Sequence, residues 1–443
     1  MIHLKLGPSA HSDQLDSTCA GQDGARRPVE LEQIKQAGRG GVADAGAFGV
    51  RLSARPGRRK LHSDPILILF AHYLNVYLLS GHPTRPRTGE RMPLVPKSHS
   101  ALEMPIFFCP IESAIHPDVE LIETRAHDWL LTRNYFGNLD NRERVIGSRS
   151  AEFYARMTPH AQVDRLQIAA EWTYWGFAFD DAYCDTFPWN VRPAEFAALA
   201  GRMVRMLEAP GMPPLAPDPY ALALAELRDR FAAIGTPVQH RRWVLAQRAW
   251  LSGVTWQIGN QSRAVMPILD DYLAMRINSA AGEPVTSMIE LANGPQIPAD
   301  ELEDPPVRAC TEMSRMLASL DNDLHSYAKD IHRNEANQNV VSVIAAERHC
   351  SPQDAMVAAM AIRDRIMCRF LRLRDLITHR QSSITRHYLE DLGHVVRGNL
   401  DWGLNTPRYQ VDGRAIAPPQ WTDQPFDDSD EPPVPSISWW WDP

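Results

Sequence analysis

Asn322-Asp323-Leu324-His325-Ser326-Tyr327-Ala328-Lys329-Asp330 is the stretch that decides how this chain is read. On an α-helix, positions i, i+4 and i+8 drift only about 40° per step, so Asn322, Ser326 and Asp330 share one face. They present an amide oxygen, a hydroxyl and a carboxylate to one point. Such a set suits a hard, octahedral ion that keeps several waters and completes its shell with substrate phosphate oxygens. Lys329, one residue before the last of them, can lean over a metal-bound phosphate as a point charge. Taken alone, the same spacing describes an ordinary solvated helix face, so the reading needs a second wall.

About 140 residues earlier the chain offers one, in Asp180-Asp181-Ala182-Tyr183-Cys184-Asp185. This cluster ends an apolar, aromatic run, Trp172-Thr173-Tyr174-Trp175-Gly176-Phe177-Ala178-Phe179. Carboxylates at the mouth of an apolar cavity are costly unless a cation or solvent compensates them, so the segment either ends at the surface or shares a metal. Asp181 and Asp185 form an i, i+4 pair. Asp180 and Asp185 stand about 140° apart on an ideal helix, so their joint use requires a local distortion or separate ions. The aromatics alone read more readily as core than as pocket wall.

The two clusters together resemble the aspartate-rich motif and the Asn-Ser-Glu triad of bacterial class I terpene synthases. Asp180, Asp181 and Asp185 match the first, and Asn322, Ser326 and Asp330 the second, with Asp330 in place of the usual Glu. Arg276, 46 residues before Asn322, resembles the family's diphosphate-sensing arginine, and Arg408-Tyr409, preceded by Asn399-Leu400-Asp401-Trp402, its carboxyl-terminal Arg-Tyr pair. The resemblance covers about residues 104–414, opening at Met104-Pro105-Ile106-Phe107-Phe108-Cys109-Pro110. Three details depart from the pattern. Asp330 shortens the metal-facing arm by one methylene, and three residues rather than two separate the acidic ends of the first motif. Near Trp256, where the family often carries a glutamate, this chain has Gln257, to which no role is given.

The resemblance implies an all-α bundle around a central apolar cavity, and an enzyme that ionises a prenyl diphosphate and cyclises the carbocation, releasing pyrophosphate. It implies a set of three Mg²⁺ ions held by Asp180, Asp181, Asp185, Asn322, Ser326 and Asp330, with Arg276, Lys329, Arg408 and Tyr409 on the diphosphate. Preorganised positive charge at that spot stabilises the leaving group as charge moves onto it. Asp180, Arg276, Asn322, Arg408 and Tyr409 are the residues expected to carry the reaction. Closure of Arg408-Tyr409 would exclude water and trigger ionisation together. The cation left behind needs a dry chamber with aromatic faces, for which Trp175, Phe177, Phe179 and Trp402 are candidates. Ser279-Ala280 is expected to be a helix break whose carbonyl faces the cation.

Composition is consistent with these expectations. The chain has 443 residues and a formal charge of −8, which argues against nucleic acid as a partner. The charge is uneven, about +5 over residues 1–103 and about −13 over the rest. Six scattered cysteines lack zinc or disulfide spacing and read as reduced thiols of a cytoplasmic protein. Residues 1–103, rich in Gly, Arg, Pro and Ser, read as a disordered arm, or as translated upstream sequence if the start is Met92 or Met104. The apolar run 66–79 within it is shorter than the roughly 20 residues that span a bilayer. From about 118 to 409 the pattern predicts successive amphipathic helices, among them 194–208, 219–234, 238–260, 306–331 and 352–377. No Gly-rich phosphate loop follows a strand, which removes nucleotide-binding folds. An acidic, Pro-rich tail, 415–443, ends in Trp439-Trp440-Trp441, either folded back on the body or without structural meaning.

Farnesyl diphosphate is the expected substrate. Geranylgeranyl diphosphate comes next, followed by a C10 or methylated C11 diphosphate. A homodimer stays open. A chain-elongating prenyltransferase shares the fold but repeats the aspartate-rich motif where this chain has Asn322 and Ser326. A non-catalytic diphosphate-binding helical protein would be favoured only if one of the four motif elements were missing.

Overall fold

The computed structural model describes residues 103–133, 139–209, 211–214, 218–333, 338–410 and 420–443. The expectations for the arm before residue 103 and for the run 66–79 lie outside the described residues. Within them the chain forms α1 (Val119–Arg133), α2 (Leu139–Gly147), α3 (Ser150–Met157), α4 (Val163–Phe179), α5 (Pro193–Glu208), α6 (Pro219–Ile234), α7 (Pro237–Ser262) and α8 (Leu269–Ser279). There follow α9 (Gly282–Asn293), α10 (Ala299–Leu302), α11 (Pro305–Arg333), α12 (Val340–Arg348), α13 (Pro352–Thr378) and α14 (Ser383–Asn405). The fold is all-α, as the sequence predicts, and the five helices named above begin and end within two residues of expectation.

The starts were legible because they carry their own caps. Asp218, Thr236 and Ser351 each accept the backbone N–H three residues on, and each is followed by a proline in the first turn. A proline there costs nothing, because the N–H it lacks would have had no helical partner. At Thr236 the cap is reciprocal, with Gln239 bonding back to the Thr236 N–H.

Helices α4 and α11 run through the interior. Thirteen of the seventeen residues of α4 are buried, so it shows no clean amphipathic stripe, as expected for a helix covered all round. Helix α11 packs against α14, α13, α8 and α9. No helix among the described residues is long and apolar enough to cross a membrane. Cys109, Cys184, Cys310, Cys350 and Cys368 are unbonded.

The strands are β1 (Phe107–Phe108) and β2 (Trp421–Thr422), paired in parallel with Phe107 opposite Trp421. Beneath them Arg363 is fully buried; its guanidinium donates to Asp321 Oδ1 at 2.9 Å and Asp364 Oδ1 at 3.1 Å and also to the Phe108 carbonyl. A buried charge is tolerated when so many acceptors surround it. The tail then folds back on the body. Pro435–Trp441 forms a 3₁₀ turn against α8 and α11, burying Trp440 completely and sending its Nε1–H to Glu312 at 2.8 Å. Arg369 holds the Trp440 and Trp441 carbonyls at 3.0 Å each. Of the tryptophan run, Trp440 is therefore part of the core, with Trp439 and Trp441 partly buried against it.

Candidate active site

One cavity opens among α3, α4, α7, α8, α9, α11 and α14, and both acidic clusters reach it. Asp180 and Asp185 line one wall, and Asn322, Ser326, Lys329 and Asp330 the other. Arg276, Arg408 and Tyr409 also line it. The distortion that joint use of Asp180 and Asp185 requires is present. Helix α4 passes into one π-helical turn, Asp180–Cys184, and Asp185 N–H donates to the Asp180 carbonyl at 3.1 Å. The wider turn carries Asp185 back over Asp180, and such turns recur at functional sites.

The aspartates divide. Asp181, 8 % exposed, does not line the cavity; its Oδ2 and Oδ1 accept from Arg408 Nη1 at 2.8 Å and Nη2 at 3.0 Å, and its Oδ2 also accepts from Arg144 Nη1. Burial alone would raise its pKa, but the two guanidiniums overcome this and hold it well below the usual carboxylate range. Burial raises Asp180 instead, against the pull of Arg408 and with help from the neighbouring Asp181 charge. Asp180 is thus a cavity carboxylate whose charge the protein leaves under-compensated, and a cation would relieve it. Arg408 also lies over the Phe177 ring, 4.6 Å from its centroid.

On the opposite wall, Arg276 Nη2 donates to Asn322 Oδ1 at 2.9 Å and reaches Asp323 Oδ1 at 2.8 Å. Asp323 in turn accepts from Tyr272 Oη at 2.5 Å. Asn322 Nδ2 donates to Tyr409 Oη at 2.5 Å, and Ser326 Oγ to Asp330 Oδ2 at 2.7 Å. Asn322, Ser326 and Asp330 all line the cavity from α11, at i, i+4 and i+8. Both walls of the cavity carry hard oxygen donors, and Asp180, Asp185, Asn322, Ser326 and Asp330 are the residues that could hold a divalent ion.

Away from this polar mouth the cavity is lined by Phe153, Met157, Trp172, Phe177, Trp250 and Val285. Of the four expected aromatics only Phe177 lines it. Trp175 and Phe179 lie on another face of α4, stacked on each other at 5.0 Å, with Trp175 Nε1–H bonded to the Tyr220 carbonyl at 2.9 Å. Trp402 is a layer behind, stacked on Phe177 at 5.2 Å with its Nε1–H on the Ser148 and Arg149 carbonyls at 3.0 Å. The expectation followed residue type, whereas the rotation of α4 aims Thr173, Gly176, Phe177 and Asp180 inward at i, i+3, i+4 and i+7. Ser279 and Ala280 do line the cavity, at a break where α8 ends, Ala281 takes a left-handed φ of 60° and α9 begins. Gly253 of α7 lets this break approach, since a Cβ there would sit 2.6 Å from the Ser279 amide nitrogen. Phe153, Trp250 and Arg144 went unseen, and Trp172 and Gln257 were noted in the sequence without a role.

A family model described as terpene synthase family 2, C-terminal metal binding, matches residues 171–369, which hold both acidic clusters. The chain belongs to the bacterial class I terpene synthases, lyases that cyclise prenyl diphosphates with a divalent metal. It is 45% identical to spiroviolene synthase of Streptomyces violens over 349 residues, 77% of this chain and 97% of that one. It is 30% identical to 4-epi-cubebol synthase ((2E,6E)-farnesyl diphosphate cyclizing) of Streptosporangium roseum over 70% of this chain and 92% of that one. The crystal structure of the SVS_A2 protein from ancestral sequence reconstruction superposes with a TM-score of 0.70 at 46% identity, covering 77% of this chain and 99% of that one.

Proposed function

We propose that this terpene cyclase is a Mg²⁺-dependent diterpene synthase that ionises geranylgeranyl diphosphate. The observation that carries the substrate length is the 45% identity to spiroviolene synthase, whose product is a diterpene, over nearly the whole of that enzyme. Farnesyl diphosphate, the first expectation from sequence, is the second reading, favoured by the relative whose name states that substrate.

Arg276, Lys329, Arg408 and Tyr409 take the diphosphate at the mouth. Three Mg²⁺ ions, held by Asp180, Asp185, Asn322, Ser326 and Asp330, add electrostatic stabilisation of the leaving group when bound. To reach the diphosphate, Arg408 shares or gives up its bidentate contact with Asp181, and Arg144 keeps that carboxylate charged when it does. The C–O bond breaks with its electron pair going to the diphosphate. The cation is left facing Phe153, Trp172, Phe177 and Trp250, whose ring faces attract positive charge while excluding water.

The test is incubation of the purified chain with C10, C15 and C20 prenyl diphosphates, with and without Mg²⁺, reading hydrocarbons by gas chromatography and mass spectrometry. A cyclic C20 product dependent on Mg²⁺ is expected. Turnover of C15 alone would transfer the proposal to the sesquiterpene reading.

A further inference from the structure

The shortened arm at Asp330 raises the question of what holds its carboxylate in place, and a side chain outside the motif does so. Asn339 is 1 % exposed and sits just before α12. Its Nδ2 donates to Asp330 Oδ2 at 3.1 Å and to the Asp323 carbonyl at 2.7 Å, while its Oδ1 accepts the Val341 N–H at 3.0 Å as the cap of α12. One amide thus ties the last residue of the triad, the backbone of α11 and the start of α12 together. With Ser326 Oγ at 2.7 Å on the same oxygen, Asp330 Oδ2 receives two donors. Asp330 Oδ1 lies 3.6 Å from Lys329 Nζ.

We infer that Asn339 is a positioning residue for the metal site: its Nδ2–H fixes the rotation of the Asp330 carboxylate and so lets an aspartate serve where a longer side chain would reach unaided. The inference rests on the metal assignment made above. Two observations support it apart from distance. The neighbouring Val340 N–H donates to Asp323 Oδ2 at 3.2 Å, so the start of α12 is fastened to α11 at two points and Asn339 cannot drift from Asp330. Both hydrogens of the Nδ2 amide are also committed to α11, which leaves the amide no alternative orientation that keeps the α12 cap.

The cap and the donor can be separated. Asn339→Ser keeps an oxygen for the Val341 N–H and removes the donor to Asp330, and Asn339→Asp keeps the cap while replacing the donor with a like charge. The measurement is calorimetric titration of Mg²⁺ into the full chain with inorganic pyrophosphate present, with melting temperatures recorded alongside. Asn339→Ser is expected to weaken Mg²⁺ binding about tenfold, within the range for residues that orient metal ligands, and Asn339→Asp to weaken it further. In an Asp330→Glu background, where the longer arm reaches alone, Asn339→Ser is expected to cost less than about threefold. Equal losses in both backgrounds, or unchanged affinity in Asn339→Ser, would overturn the inference while leaving the metal site intact. Failure of the unaltered chain to take up Mg²⁺ with pyrophosphate would overturn the metal assignment and this inference with it. If Asn339→Ser does not fold, Asn339→Asp carries the same comparison.

Discussion

The mouth of the cavity and its chamber are built on opposite principles. At the mouth, Asp181 is held by Arg144 and Arg408, Arg276 lies against Asn322 and Asp323, and Tyr409 accepts from Asn322. Each group there is fixed by a polar partner of known geometry. In the chamber, Phe153, Trp172 and Trp250 are fixed by packing, and Phe177 is held between Trp402 at 5.2 Å and Phe153 at 5.5 Å with the Arg408 guanidinium over its ring. Directional bonds place charge to a fraction of an ångström, which ionisation requires. Packing sets shape, which the folding of the cation requires. Changes at the mouth should therefore alter how fast the enzyme turns over, and changes in the chamber what it makes.

The largest effect should come from Asn322→Ala, which removes an oxygen donor from the cavity's polar wall and the partner of both Arg276 and Tyr409. Turnover is expected to fall by about 10²–10³, the scale seen when one preorganised group is lost from a charge-stabilising site. Circular dichroism should remain that of a helical protein. A rate within threefold of the unaltered chain would break the comparison at its strongest point. Arg144→Gln should cost about tenfold in kcat/KM, because Asp181 then depends on Arg408 alone and holds it back from the diphosphate. Steady-state pyrophosphate release would read it, and an unchanged kcat/KM would remove Arg144 from the site.

Trp250→Leu probes the other side. Pyrophosphate release should stay within about threefold, since discrimination by apolar contacts is worth only about 1–3 kcal/mol, while the product ratio on gas chromatography changes. A collapsed rate with an unchanged product would mean that the chamber, too, governs ionisation. The smallest effect on catalysis should come from a residue in neither region. Asp391 is fully buried, and burial pushes its carboxyl up to about 7, with Asn293 Nδ2 donating to it at 2.6 Å. A folded-state pKa above the unfolded one means that the carboxyl's contribution is present below the unfolded value, near 4, and is lost as pH rises toward 7. Asp391→Asn removes that loss. Thermal melts should show the variant more stable than the unaltered chain at pH 8, on the order of 2 kcal/mol, and little different at pH 4. Identical melts at pH 8 would contradict this, and kcat should not change.

The two regions also differ in how much of them the sequence disclosed. The mouth was legible because its residues are of unusual type at helical spacing, and spacing survives without coordinates. Even its irregularity was foreseeable, since Asp180 and Asp185 cannot cooperate on an ideal helix. The chamber was not legible, because α4 carries aromatics on every face and only its rotation decides that Trp172 and Phe177 face inward while Trp175 and Phe179 do not. Trp250 comes from a helix far along the chain, and Asn339 lies outside any motif. Asp181 shows the limit at the mouth itself: its identity was read, but its two arginine partners could not be, because Arg144 lies 37 residues away on another helix.

The folded tail has a practical consequence for anyone handling this protein. Trp440 is wholly enclosed, and Trp421 lies beside Phe107 near the other end of the described chain. Removing residues 434–443 would leave α8 and α11 with an open apolar seam. Proteolytic nicking after residue 434 should be monitored as loss of enzyme, not as harmless trimming.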